Sequence, residues 1–246
     1  MTYKTFRLHE RPDLRAQIDR LSVAAWPEFL LHGNAQHWEH LFSTFAEYQV
    51  LICDGDDKVV ALGHTVPLFW DSKLESLPAT IDAILTDALQ AREFAANTLS
   101  ALAAIVAQDY RGQGLSSIVL HEMRRLALLY GLQALIVPVR PTLKHLYPLI
   151  PFERYVRWVR EDGAPFDPWL RVHWRLGATQ LKIIPRSLTV TGSVSQWEEW
   201  TGIQMPDSGE YVVPGALQPV KVDRNSDLGL YEDPNIWMKH SVSSEK

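Results

Sequence analysis

The sequence predicts an α/β fold, and three observations carry that prediction. Residues 99–139 read as strand, glycine loop, helix and strand, a unit that closes as a right-handed parallel crossover. Val50–Cys53 and Lys58–Leu68 flank Asp54-Gly55 as the arms of a β-hairpin, which adds antiparallel pairing. The 246 residues, 46% hydrophobic and 22% charged, supply a substantial core and exclude collagen-like, coiled-coil and low-complexity chains.

The elements follow in order. Lys4 to Glu10 reads as a first strand, and Arg11-Pro12-Asp13 starts a helix on which Leu14, Ile18, Leu21 and Ala25 recur at helical spacing. Trp38, Leu41, Phe42 and Phe45 form an apolar stripe that predicts a second helix over Gln36 to Tyr48. After the hairpin, residues 71–97 form a predominantly helical insertion with Ile81, Ile84, Leu85 and Leu89 on one face. Leu99 to Ala107 is a run of small and β-branched residues, as suits a central strand covered on both faces.

From Leu115 the apolar positions mark one helix face as far as Tyr130, and Gly131 stops it. Ala134 to Val139 is a second buried strand. Residues 141–166, rich in Pro, Tyr and Arg, form an irregular excursion. Asp167 as N-cap, Pro168 in the first turn and Gly177 as stop delimit a compact helix. Gln180 to Ile184 and Ser187 to Ser193 are extended runs joined by Pro185-Arg186, and a late strand lies around Ile236 to His240. The chain thus reads as one domain over 1–246, enlarged by the insertion 71–97, the excursion 141–166 and a C-terminal extension 194–246.

Composition narrows the function. No apolar run approaches the roughly 20 residues that span a bilayer, and Met1 to Glu10 has no basic-then-apolar leader pattern, so a cytoplasmic protein with no membrane partner is expected. The single Cys53 supplies neither a disulfide nor a cysteine-based metal site. The net charge of -5 hides a basic middle: residues 111–178 carry ten Lys and Arg against five Asp and Glu. A basic segment inside an acidic chain suits a small anion, or is a solvated face paired with acidic neighbours. Its arginines are scattered through apolar sequence with no recognition helix, so no nucleic acid partner is expected.

The chemistry centres on Arg111-Gly112-Gln113-Gly114-Leu115-Ser116. Two glycines at a strand-to-helix turn let backbone N–H groups converge on an anion, reinforced by the helix dipole. A dinucleotide fingerprint would need glycine where Ser117 stands and an acid where Val139-Arg140 stand, and no Gly-Lys-Ser or Gly-Lys-Thr tripeptide of a Walker loop occurs. The pattern Arg, two residues, Gly, one residue, small residue at Arg111, Gly114 and Ser116 resembles the GCN5-related N-acetyltransferase (GNAT) superfamily. Val106, Asp109 and Tyr110 resemble its usual approach to the loop, and the element order over residues 4–193 fits. Ser116 departs from the family's Gly or Ala but remains small.

That resemblance implies a mixed, mostly antiparallel sheet with a splayed parallel central pair and flanking helices. It implies acetyl-CoA as co-substrate, held in the opening between strands 99–107 and 134–139. The backbone of Ile105, Val106 and Ala107 would pair with the pantetheine amides. The N–H groups of Arg111, Gly112, Gln113, Gly114, Leu115, Ser116 and Ser117 would hold the pyrophosphate. Four residues before Gly177-Ala178, where the family usually has a Tyr that protonates the CoA thiolate, stands His173; Arg171-Val172-His173 resembles a subset of the superfamily. Histidine can donate a proton near neutral pH, and it can equally be a packed core residue.

The strand 99–107 holds no carboxylate to serve as base, which leaves a water chain or Glu28, His32, His37 or His64, each more often structural. Lys144 and Tyr147 lie where they could face substrate or solvent. The early histidines show no HxH or HExxH pattern, so no metal is expected. The implied activity is transfer of an acetyl group from acetyl-CoA to the amine of an unidentified small-molecule or peptide acceptor by direct attack on the thioester. The alternative is a non-catalytic acyl-CoA-binding or sensing module. Trp158, Trp169, Trp174, Trp197 and Trp200 could line an acceptor pocket, pack the core or form a subunit contact, which leaves a homodimer open.

Overall fold

A computed structural model describes residues 2–33, 36–91 and 95–242. Nine strands form one sheet: β1 (Lys4–Arg7), β2 (Val50–Cys53), β3 (Val59–Leu68), β4 (Thr98–Val106), β5 (Ala134–Val139), β6 (Thr179–Gly192), β7 (Gly209–Tyr211), β8 (Val220–Asp223) and β9 (Leu228–Ser241). The order is β1-β2-β3-β4-β5-β9-β8-β7, with β6 also paired to β9. Among the described strands, only β4 and β5 run parallel.

Alternation along the strands sorts side chains onto two faces. One face receives α4 (Leu115–Leu129) and α6 (Pro168–Arg175), packed over Val50, Ile52, Leu135 and Val137. The other receives α1 (Arg15–Ala25) over Leu51, Cys53 and Leu62, and α3 (Ile81–Gln90) over Val66, Leu68 and Ile136. A third apolar cluster gathers α2 (Glu28–Leu31) and α7 (Val194–Thr201) around Trp197, Phe29 and Tyr231. α5 (Phe152–Tyr155) is a single turn within the excursion.

Several expectations change. The first strand ends at Arg7 because Leu8–Glu10 turn as a 3-10 helix, where the Glu10 carboxylate accepts from the Arg7 N–H at 2.7 Å. No α-helix covers the described part of 36–48; Trp38–Leu41 and Ala46–Tyr48 are separate 3-10 turns. His37 enters the first with φ 67, and the Gln49 side chain takes the Phe45 carbonyl at 2.7 Å, so no continuous helical ladder forms. Of the insertion 71–97, residues 81–90 are helical, and 92–94 lie outside the described residues.

The two runs at 180–193 form one strand, β6, whose register against β9 shifts between Ile184 and Leu188 around Pro185-Arg186. The segment beyond 194 is not merely appended. It returns as β9, which pairs along one side with β6 and along the other with β5 and then β8, so the late strand spans 14 residues rather than five. Asp167 caps α6 by accepting from the Trp169 and Leu170 N–H groups at 2.9 and 3.3 Å, and Gly177 leaves it at φ 79.

Candidate functional site

The parallel pair is short. Thr98–Ser100 pair with Ala134–Ile136, and beyond that β4 continues to Val106 beside β3 alone while β5 continues to Val139 beside β9 alone. A fork opens between them. The register of β4 against β3 slips at one point, where His64 faces Ala103 and Thr65 faces Ala101, so Leu102 is an inserted residue. Leu102 and Ala103 consequently both face the α1 and α3 side, whereas Ala101 and Ala104 face α4.

Hydrogen-bond parity then decides which backbone groups face the fork. The Ala107 N–H donates to the Val60 carbonyl at 2.8 Å, so Ala107 and, two residues back, Ile105 direct their backbone toward β3. Val106 and Ala104 direct theirs toward the fork, and the Val106 carbonyl accepts from Arg111 Nε at 3.4 Å. Of the three strand residues singled out in the sequence, only Val106 offers backbone to a ligand in the fork. The Ile105 side chain is core, 4% exposed, in the cluster under α1.

The glycine loop follows directly. Gly112 and Gly114 have φ 79 and 81, in the left-handed region that favours glycine, and a Cβ at either position would meet only open space. The loop therefore needs glycine for its backbone path, not for packing. Gly114 starts α4 with no side-chain cap, and the first turn carries no acid. The Arg111 N–H is spent on the Gln108 carbonyl at 3.2 Å and the Ser117 N–H on Gly114 at 3.0 Å. Among the described residues, the N–H groups of Gly112, Gln113, Gly114, Leu115 and Ser116 have no protein partner, so five of the seven predicted donors remain for an anion.

His173 is fully buried on α6. Its Nδ1 lies 2.8 Å from Nε2 of His240, and its ring meets Trp169 edge-on at 4.3 Å. Burial, with His240 beside it, holds its pKa well below the ordinary value, and burial with Arg124 and His121 brings His240 down to about 4. The pair is neutral near pH 7. His240 stands opposite Leu135, level with the closed part of the fork, and His173 Nε2 is buried without a partner. Nothing in the sequence points to His240 as the partner of His173, because the two lie 67 positions apart.

The other candidates scatter. Glu28 pairs with His32 at 3.2 Å, and His32 stacks on Trp200 at 4.2 Å, in the cluster around α7. Lys144 is fully buried, its Nζ donating to the Tyr147 and Leu217 carbonyls at 2.8 and 2.5 Å, and burial lowers its pKa to about 8. It fastens the excursion to the C-terminal loop. Tyr147 and Trp158 pack with Tyr155 and Phe166, Trp197 fills the third cluster, and Trp174 is half exposed. The tryptophans thus serve separate places. His64 lies one strand from the fork, on β3 opposite Ala103.

A fork in a parallel pair that leads into an uncapped helix N-terminus can be compared with known proteins. No family model matches the chain. Arginine N-acetyltransferase avaD of Aspergillus versicolor is 34% identical over an alignment covering 94% of this chain and 91% of that protein. The chain belongs to the GNAT superfamily. It is an N-acetyltransferase by that kinship, moving an acetyl group to an amine.

The fold agrees with solved GNAT structures. The loading GNATL domain of CurA from Lyngbya majuscula superposes with a TM-score of 0.67 at 15% identity, covering 98% of each chain. The GphF GNAT-like decarboxylase, solved with isobutyryl-CoA, gives 0.61 at 15% identity, covering 99% of this chain and 100% of that one. At such identity these share the architecture. No helix of the described residues is long and apolar enough to cross a membrane.

Proposed function

We propose that this GNAT enzyme uses acetyl-CoA and delivers the acetyl group to the amine of a small molecule or peptide, with arginine as the first acceptor to test. The observation that carries the reading is the continuity of the fork with the loop 112–116: one free strand edge leads into one cluster of unpaired N–H groups. The relative's name, arginine N-acetyltransferase, supplies the acceptor.

In this reading the pantetheine lies along β4, pairing with the outward backbone of Val106 and Ala104. The diphosphate sits on the N–H groups of 112–116, where the α4 dipole favours negative charge. The amine lone pair attacks the thioester carbonyl carbon. Charge gathers on the carbonyl oxygen, which a backbone N–H of the free edge polarises, as fixed donors do in acyl transfer. The carbon–sulfur electrons leave with sulfur. In the tautomer in which His240 Nε2–H donates to His173 Nδ1, the unpartnered His173 Nε2–H would meet the departing thiolate as a neutral donor, and the proton that completes the thiol comes by exchange with solvent.

Isothermal titration with acetyl-CoA, followed by mass-spectrometric detection of acetylated product from L-arginine and an amine panel, tests this. Micromolar binding and a +42 Da product, the mass of one acetyl group replacing hydrogen, are expected. Absence of binding at millimolar acetyl-CoA would refute it.

A further inference from the structure

The transferase reading leaves open what takes the proton from the amine, and one buried group on β3, the strand next to the free-edged β4, has a lone pair with no partner among the described residues. His64 is 1% exposed. A Cβ built on Gly63 would strike Met123 of α4, so the next residue, His64, points to the opposite face, the one shared by Leu102 and Ala103. α4, whose N-terminus would take the diphosphate, covers the other face. With that face committed to the cofactor in the proposed complex, the face His64 shares with α1 and α3 is the one left for an acceptor.

The tautomer is fixed by its neighbour. Gln49 donates its Nε2 hydrogens to the Phe45 and Thr65 carbonyls at 2.7 and 2.9 Å, which identifies the other amide atom as the oxygen. That oxygen lies 3.0 Å from His64 Nδ1 and also accepts from the Thr65 N–H at 3.3 Å. An acceptor oxygen demands a hydrogen on Nδ1, so the neutral imidazole carries its lone pair on Nε2. That atom is buried and unpartnered among the described residues. Leaving a buried acceptor unpaired costs about 1–3 kcal/mol, a cost that a ligand N–H would remove.

We propose that His64 Nε2 receives the proton of the acceptor amine as it attacks the thioester; the assignment rests on the acetyl-transfer reading. The amine lone pair forms the new carbon–nitrogen bond, the carbon–sulfur pair departs on sulfur, and the amine proton moves to Nε2. The imidazolium then returns it to solvent. Burial, with a smaller contribution from Arg15, holds this imidazole at a pKa of about 3, so it is neutral in the neutral range but a weak base, and its basicity must rise in the loaded site, as negative charge developing on the thioester beside it would make it do. The rings of Trp38 and Phe42, edge-on to the imidazole at 5.7 and 5.5 Å, belong to the turns 38–48 and cover the approach. Those rings must part for an amine to enter.

His64→Asn keeps a polar atom where Nδ1 meets Gln49 and removes Nε2. With L-arginine and the amine panel, the variant should lose about 100-fold or more in kcat, the scale of a general base, while its acetyl-CoA affinity stays within twofold of wild type. Unchanged kcat overturns the assignment. Should the variant not fold, 15N NMR of the wild-type imidazole replaces it. The unprotonated Nε2 resonance should move when amine is added to CoA-loaded protein, and a resonance unmoved at saturating amine overturns the assignment. Wild-type protein that binds no acetyl-CoA fails earlier: it refutes the transferase reading, and the base assignment falls with it.

Discussion

Two adjacent proline substitutions on β4 should have opposite consequences. Ala107→Pro removes the N–H that donates to the Val60 carbonyl at 2.8 Å, and leaves that carbonyl unpaired in the sheet. Such a loss costs about 1–3 kcal/mol. For a chain of this length each kcal/mol moves the melting temperature by roughly 2–4 °C, so a drop of about 4–8 °C is expected for 2 kcal/mol. Val106→Pro removes an N–H that faces the fork and bonds nothing in the protein. Proline is tolerated at an open strand edge, so its thermal cost should be less than about half as large. Its chemical cost should be greater: that N–H pairs with the pantetheine in the proposed complex, and leaving the amide oxygen it serves unpaired costs about 1–3 kcal/mol, a roughly 5- to 150-fold loss in acetyl-CoA binding and in turnover at limiting acetyl-CoA. Thermal denaturation followed by circular dichroism, calorimetry with acetyl-CoA and thiol release during turnover separate the two effects. A Val106→Pro enzyme that binds and turns over normally while Ala107→Pro is folded but inactive would show the opposite parity and refute the reasoning.

Three further outcomes follow from the site. Gly114→Ala forces a Cβ onto a residue at φ 81 with no steric clash, so a stability loss of about 1–2 kcal/mol and at least a tenfold weaker acetyl-CoA complex are expected by urea titration and calorimetry. Ser116→Glu puts a carboxylate in the first turn of α4, where the dipole should leave folding unchanged or improve it by about 0.3–1 kcal/mol; the same charge should repel a diphosphate, and unweakened acetyl-CoA binding would argue against the nest. Acid should destabilise the fold early: His64 at about 3, His240 at about 4 and His173, also lowered, stay neutral in the native state, whereas their unfolded counterparts protonate below about 6.5. Stability is therefore full above that pH and falls as pH drops toward 4, by up to about 1.4 kcal/mol per pH unit for each histidine, and a flat urea midpoint between pH 7 and 4.5 would contradict the burial of all three.

What the sequence made legible was local. The run 99–107, the two glycines and the apolar face after Leu115 each act within a few residues, and so do the Asp167 cap, Pro168 and Gly177 around α6. The stripe at Trp38, Leu41, Phe42 and Phe45 misled because apolar spacing reports which side chains share a buried surface. Turns that fold back onto that surface satisfy the same spacing, and a positive φ at His37 and a side-chain capture of the Phe45 carbonyl are invisible in it. β9 was seen only where it is most apolar. Its place between β5 and β6 depends on pairings between residues 37 to 107 positions apart, which no window displays.

The most consequential feature of the site is also the least legible. One inserted residue, Leu102, sets the parity of everything beyond it on β4. Without that residue in the register, the backbone of Ile105 and Ala107 would face the fork and that of Val106 would pair with β3. Leu102 would also lose its place beside Ala103 on the face toward α1 and α3. The surrounding sequence, Ser100-Ala101-Leu102-Ala103-Ala104, contains no glycine, proline or charge to mark a bulge. Small side chains explain why β4 accommodates an insertion cheaply, but they fit several registers equally well. Register is chosen by the neighbours: Gly63 leaves room for the Met123 side chain, whose end a Cβ there would displace, and the Gln49 side chain holds His64 and Thr65 on either side of the slip. The group that bonds His64 is thus also the group that pins the irregularity opposite it, so the free strand edge and the unpartnered imidazole are set by one local arrangement.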